Sequence, residues 1–209
     1  MRTSLSSKGS SIVSVPSEAS TKSTKPPIPV KIVVSGGFGV GKTTTVAALS
    51  EIEPLTTEAS MTSVGAVVDN AERAPGKTTT TVALDFGRVT LDESIIMYMF
   101  GTPGQDRFGF MWNDLADGAL GGIVMVDPSQ INDCFTALDY FDTIGLPYVV
   151  AVNEFAGRNN LSLEDVRDYI NVDPHIPLIP IDARDRESVK RAVLGLLRLI
   201  LVNAKSHAV

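Results

Sequence analysis

This chain of 209 residues is poor in the groups that most simple chemistries use. It has one cysteine, Cys134, so no disulfide framework can be built, and a reducing compartment is expected. Its place in an expected helix reads as a buried structural thiol rather than a reactive one. Its two histidines, His175 and His207, lie far apart with no carboxylate or cysteine at ligand spacing. No apolar run approaches the roughly 20 residues of a membrane-spanning helix. Positive charge is also short: 18 Lys and Arg against 24 Asp and Glu give a net charge of −6, with no basic stripe for a nucleic acid. No hydrophobic core of a signal peptide is evident. The glycine needed for myristoylation is missing from Met1-Arg2-Thr3-Ser4, and Ala204–Val209 carry no prenylation cysteine. A cytoplasmic location is therefore expected.

What remains is ordinary globular material, 44% hydrophobic and 20% charged, enough for one domain with an extension. Residues 1–29 are rich in Ser and Thr, with Pro16, Pro26, Pro27 and Pro29, and their few apolar residues show no period. Such a segment buries too little to offset its ordering entropy and reads as a disordered tail. Beyond it, short apolar runs alternate with helical patterns. Strands are expected at Val30–Ser35, Thr81–Val89, Ile95–Phe100, Gly122–Asp127, Tyr148–Asn153 and Ile176–Ile181. Nearly continuous apolar character suits strands covered on both faces, and Pro177 and Pro180 push the last strand to an edge. Helices are expected over Ile131–Ile144, from Ser162, which can cap with Asp165, and over Arg186–Lys205. The result is a three-layer α/β domain over 30–205 with a mostly parallel, six-stranded sheet. Glu53–Thr80 and Gly101–Leu115 fit no element and would flank the ligand-binding end of the sheet.

The strongest motif is Gly36-Gly37-Phe38-Gly39-Val40-Gly41-Lys42-Thr43, which reads G-x-x-x-x-G-K-T. It is preceded by a β-branched run and followed by a segment able to start a helix, the context of a P-loop NTPase. Gly36, Gly39 and Gly41 let the backbone wrap a phosphate chain. Their N–H groups point into the loop and bind anions together with the positive end of the following helix. Lys42 puts its charge on the β- and γ-phosphates, and the Thr43 hydroxyl would ligate Mg²⁺.

A second segment, Gly101-Thr102-Pro103-Gly104-Gln105-Asp106-Arg107-Phe108, resembles the D-x-x-G-Q switch of Ras-like small GTPases. Thr78–Phe86 resembles that family's T-x-x-x-D-F run, aligning Thr81 with a Mg²⁺ ligand. Together with Glu51–Glu58 and Asp182–Val189, these residues resemble the bacterial Ras-like GTPases of gliding motility and of the actinobacterial conservon type. The resemblance implies a Ras-like G domain cycling between GTP and GDP. It implies that the N–H groups of Gly39, Val40, Gly41, Lys42, Thr43 and Thr44 hold the α- and β-phosphates, that Gly104 senses the γ-phosphate, and that Gln105 and Lys42 are catalytic. Asn153, Ala183 and Arg184 would lie at the base. A roadblock-type regulator and a sensor-kinase system would be the partners, with recruitment to the inner membrane face through one of them.

Two positions depart from that family. Gly101 replaces the aspartate that anchors Mg²⁺ through water. Asn153-Glu154-Phe155-Ala156 lacks the aspartate that accepts from guanine, which puts base preference in doubt. Two other readings follow. Asp127, closing the apolar run Ile123–Val126, would serve a P-loop ATPase as its metal carboxylate, or would merely cap a strand end ahead of Pro128. Alternatively, the chain binds nucleotide without hydrolysing it.

Overall fold

A computed structural model describes residues 25–53, 55–61, 80–104, 106–155 and 161–206, with the backbone alone at 55–61, 80–83 and 106–108. The expected tail at 1–29 therefore lies almost wholly outside the described residues. Seven strands form one sheet: β1 (Ile28–Gly36), β2 (Leu55–Met61), β3 (Thr80–Asp92), β4 (Ile95–Gly101), β5 (Gly121–Val126), β6 (Tyr148–Asn153) and β7 (Leu178–Ile181). Their spatial order is β2-β3-β4-β1-β5-β6-β7. The pairs β4–β1, β1–β5, β5–β6 and β6–β7 are parallel; β2–β3 and β3–β4 are antiparallel.

The apolar runs sort their side chains strictly by parity. Ile32, Val34, Ile123, Met125, Val149 and Ala151 join one buried cluster, with Val46 and Leu49 of helix α1 (Lys42–Leu49) and Val189, Val193 and Leu196 of helix α5 (Arg186–Ser206). Val33, Val124, Val126, Val150 and Val152 join the other, with Trp112 of α2 (Trp112–Ala116), Leu138 and Phe141 of α3 (Phe135–Ile144), and Val166 and Ile170 of α4 (Leu163–Ile170). The central strands β5 and β6 and the second half of β1 are thus buried on both faces, and the three-layer α/β fold is the one expected. Pro180 sits in the edge strand β7, where one row of backbone groups has no strand partner to lose.

Three elements differ from expectation. Helix α2, with a 3₁₀ segment at Asp106–Met111 before it, begins within Gly101–Leu115, which fits no element by sequence. The seventh strand, β2, lies inside the segment left without structure. Its sequence Leu-Thr-Thr-Glu-Ala-Ser-Met offers no apolar run, and backbone pairing to β3 supplies what side-chain pattern does not. The helix expected from Ile131 begins only at Phe135. Pro128–Cys134 form a tighter 3₁₀ segment, interrupted at Gln130 (φ −133, ψ 45). Cys134 in it is buried, as expected, and burial pushes its thiol up to about 12.

Helix α4 starts as its sequence demands. Ser162 Oγ accepts the Asp165 N–H at 3.1 Å, and the Asp165 carboxylate accepts the Ser162 N–H at 3.0 Å. Ser162→Ala removes the Oγ cap and the hydroxyl's bond to Asp165 Oδ2 at 2.7 Å while the backbone N–H keeps its partner, and should cost about 1 kcal/mol in denaturant melts. No loss of stability would show that packing of Val166 and Ile170 alone fixes this end. Among the described residues, no helix is long and apolar enough to cross a membrane.

Candidate phosphate-binding site

The site forms where β1 ends and α1 begins. Gly36 has φ 137, and a Cβ there would come within 2.5 Å of the Met125 carbonyl oxygen, so only glycine fits against β5. Gly41, at φ 103, is crowded by the Asn153 side chain: a Cβ there would lie 2.9 Å from Asn153 Nδ2. Gly39 shares the left-handed geometry. Between them the chain makes a tight loop whose N–H groups lead into the first turn of α1, where Lys42, Thr43 and Thr44 follow in order.

Lys42 is 7% exposed. Its ammonium donates to the Gly36 carbonyl at 2.9 Å and the Gly37 carbonyl at 2.7 Å, folding back across the loop. Burial pushes its pKa down from 10.5 to about 8, against the opposing pull of the Asp85 carboxylate. Gly104, the first residue beyond Thr102-Pro103, closes the other side. A Cβ on Gly104 would lie 2.7 Å from Lys42 Nζ and 3.1 Å from the Gly37 oxygen. The expected γ-phosphate sensor and the expected phosphate lysine therefore meet. Gln105 lies outside the described residues. Thr81 lies in β3 opposite Ser60, and its side chain is not described.

Thr43 shows a contact the sequence did not reveal. Its hydroxyl donates to Asp85 Oδ2 at 2.7 Å, and Asp85 is only 9% exposed. Asp85 stands on β3 directly opposite Gly101 of β4. The missing side chain at Gly101 was a visible signal. The replacement was not, because it depends on the pairing register of two strands. With its hydrogen on Asp85, the Thr43 oxygen keeps lone pairs for a hard cation, so the donor set fits Mg²⁺ held mainly by phosphate and water. Asp127 has the geometry of a cap instead. Its Oδ1 accepts from the Ser129 N–H at 2.8 Å and the Ser129 hydroxyl at 2.7 Å. Its Oδ2 is buried with no partner among the described residues.

The base end is organised differently from the guanine site expected. Asn153, 2% exposed, donates through Nδ2 to the Val40 carbonyl at 2.9 Å and accepts the Ala183 N–H at 3.0 Å through Oδ1. The N–H groups expected to face guanine are thus engaged within the chain. That of Ala183 is on Asn153, and that of Arg184 is on Asp182 Oδ1 at 2.9 Å. Arg184 also binds both Asp182 oxygens through its guanidinium, which holds the Asp182 carboxyl down at about 2.

Residues 34–203 match the protein family described as "conserved hypothetical ATP binding protein". An uncharacterized protein of Methanocaldococcus jannaschii is 29% identical over 127 residues, 60% of this chain and 70% of that protein. These findings correct the resemblance to Ras-like bacterial GTPases: the family that matches is an ATP-binding one. The resemblance rested on Gly101–Phe108, Thr78–Phe86, Glu51–Glu58 and Asp182–Val189, whereas the phosphate loop is a feature of P-loop NTPases in general. The positions that set small GTPases apart, 101 and 156, are the ones at which this chain departs. The roadblock-type regulator and sensor-kinase setting rested on that resemblance and have no support besides it.

Proposed function

The chain belongs to the family of conserved hypothetical ATP-binding proteins, and from that premise we propose that it binds ATP with Mg²⁺ and hydrolyses it slowly to ADP and phosphate. The observation that carries the reading is the phosphate cradle, with Lys42 held across Gly36 and Gly37 and Gly104 facing it. Adenine is favoured over guanine by the family description and by the engagement of the Ala183 and Arg184 N–H groups inside the chain.

The loop N–H groups hold the α- and β-phosphates, and Lys42 spans the β- and γ-phosphates. The Gly104 N–H is directed at the γ-phosphate. Gln105 follows it in sequence and would orient the attacking water. The water oxygen forms a bond to the γ-phosphorus as the bond from that phosphorus to the β–γ bridging oxygen breaks; ADP leaves with the electron pair, and the water's proton passes to the phosphate formed or to solvent. The Thr43 oxygen would hold Mg²⁺, which would supply charge stabilisation for the leaving group. Turnover should be slow unless an arginine from a partner stabilises the developing charge.

Competition between ATP, ADP, GTP and GDP tests the ligand. ATP should win over GTP by about tenfold or more, since a pocket whose donors are engaged gives guanine nothing to pair with. Guanine preference would overturn the reading. Single-turnover assays test the reaction: Gln105→Leu should slow hydrolysis about tenfold or more with ATP affinity kept. Asp127→Asn retains the accepting oxygen of the cap and should leave turnover within about twofold. Loss of Mg²⁺-dependent turnover in Asp127→Asn alone would return the metal role to that residue. Absence of hydrolysis by the unmodified protein would leave a nucleotide-binding module.

A further inference from the structure

We propose that Asp85 anchors the divalent cation of this site, doing from strand β3 the work of the carboxylate that β4 lacks at position 101. This rests on the nucleotide-binding reading and adds a positioning residue to it. The antiparallel register sets Asp85 and Gly101 side by side at the end of the hairpin nearest the phosphate loop. A Cβ on Gly101 would lie 2.9 Å from both Asp85 Cβ and Asp85 Oδ2. A side chain at 101 and the Asp85 carboxylate therefore compete for one space. Glycine at 101 is what allows Asp85 to reach Thr43.

The contact itself has the form a metal site needs. A hydroxyl has one hydrogen, and Thr43 directs it to Asp85 Oδ2 at 2.7 Å. The threonine rotamer is thereby fixed with its lone pairs turned away from Asp85, toward a cation. Asp85 is nearly buried, and a buried carboxylate needs compensating charge. Lys42 supplies part of it: the attraction between them raises the lysine pKa even as burial lowers it. A divalent cation on Thr43 supplies more. Carboxylates that orient a metal ligand in this way set affinity for the metal without touching it.

The test is the ratio of ADP affinity with Mg²⁺ to that in EDTA, measured by calorimetry on the full chain. In Asp85→Asn this ratio should fall about tenfold to a hundredfold. A second variant, Asp85→Gly with Gly101→Asp, moves the carboxylate back across the strand pair and should restore most of the ratio. General damage to the fold would weaken both affinities together and leave the ratio alone. An unchanged ratio in Asp85→Asn overturns the proposal. If that variant does not fold, the exchanged pair decides: a folded protein without the Mg²⁺ ratio overturns it, and one with the ratio restored supports it. Failure of the unmodified chain to bind ADP under either condition would instead sink the nucleotide-binding reading, and this proposal with it.

Discussion

Replacing Lys42 by alanine should lower ATP affinity about a thousandfold. Two charge-assisted hydrogen bonds to phosphate, each contributing about 1.5–3 kcal/mol, amount to roughly that factor. The loss should be smaller for a ligand without a γ-phosphate, because the ammonium would then meet the β-phosphate alone. The pH dependence gives a sharper signature. The lysine is pushed down to about 8 by burial, so its charge is present below pH 8 and lost above it. Phosphate binds the charged form, and affinity should fall by up to about tenfold for each pH unit above 8. The fold without nucleotide should respond in the opposite sense. Between pH 8 and 10.5 the unfolded chain holds a proton that the folded chain has released. Stability contributed by this group therefore rises with pH over that window. Titrations of ATP from pH 7 to 9.5, paired with melts over the same range, check both slopes. Equal pH dependence in the unmodified protein and Lys42→Ala would show that some other group titrates.

Asn153→Ala should destabilise the protein by about 2–5 kcal/mol even without nucleotide. The side chain satisfies two backbone groups at once, the Val40 carbonyl of the phosphate loop and the Ala183 N–H after β7. Each would be orphaned in the interior at a cost of about 1–3 kcal/mol. Asn153→Asp should be nearly as damaging, since a carboxylate retains the acceptor for Ala183 but faces the Val40 oxygen without a donor. A residue that only read the base would leave nucleotide-free stability unchanged. Denaturant unfolding without ligand distinguishes the two; stability within about 0.5 kcal/mol of the unmodified chain would return Asn153 to a base-reading role.

These two residues also mark how far the sequence could be read. Lys42 was legible because its whole surroundings are consecutive: a β-branched strand, a glycine loop and a helix start fix where the ammonium goes. The strands were legible because burial on both faces demands unbroken apolar runs, and α4 because Ser162 and Asp165 carry their own cap. Asn153 was found, but its partners Val40 and Ala183 come from two other parts of the chain, so its function as a brace could not be seen. Asp85 required more still, namely the register of β3 against β4. Strand β2 escaped because an edge strand held by backbone bonds leaves little mark on side-chain pattern. The two missing aspartates were visible as absences: the one at 156 put guanine preference in doubt and the one at 101 bore on Mg²⁺, even while other motifs resembled small GTPases.

The bonds that shape the phosphate loop all come from the chain: glycine dihedrals, Lys42 on two carbonyls, and Asn153 on Val40. A loop held this way has its shape before a nucleotide arrives. Nucleotides should then arrive at the pace of ordinary diffusive encounter, and the protein's choice among them should be expressed in how long each one stays.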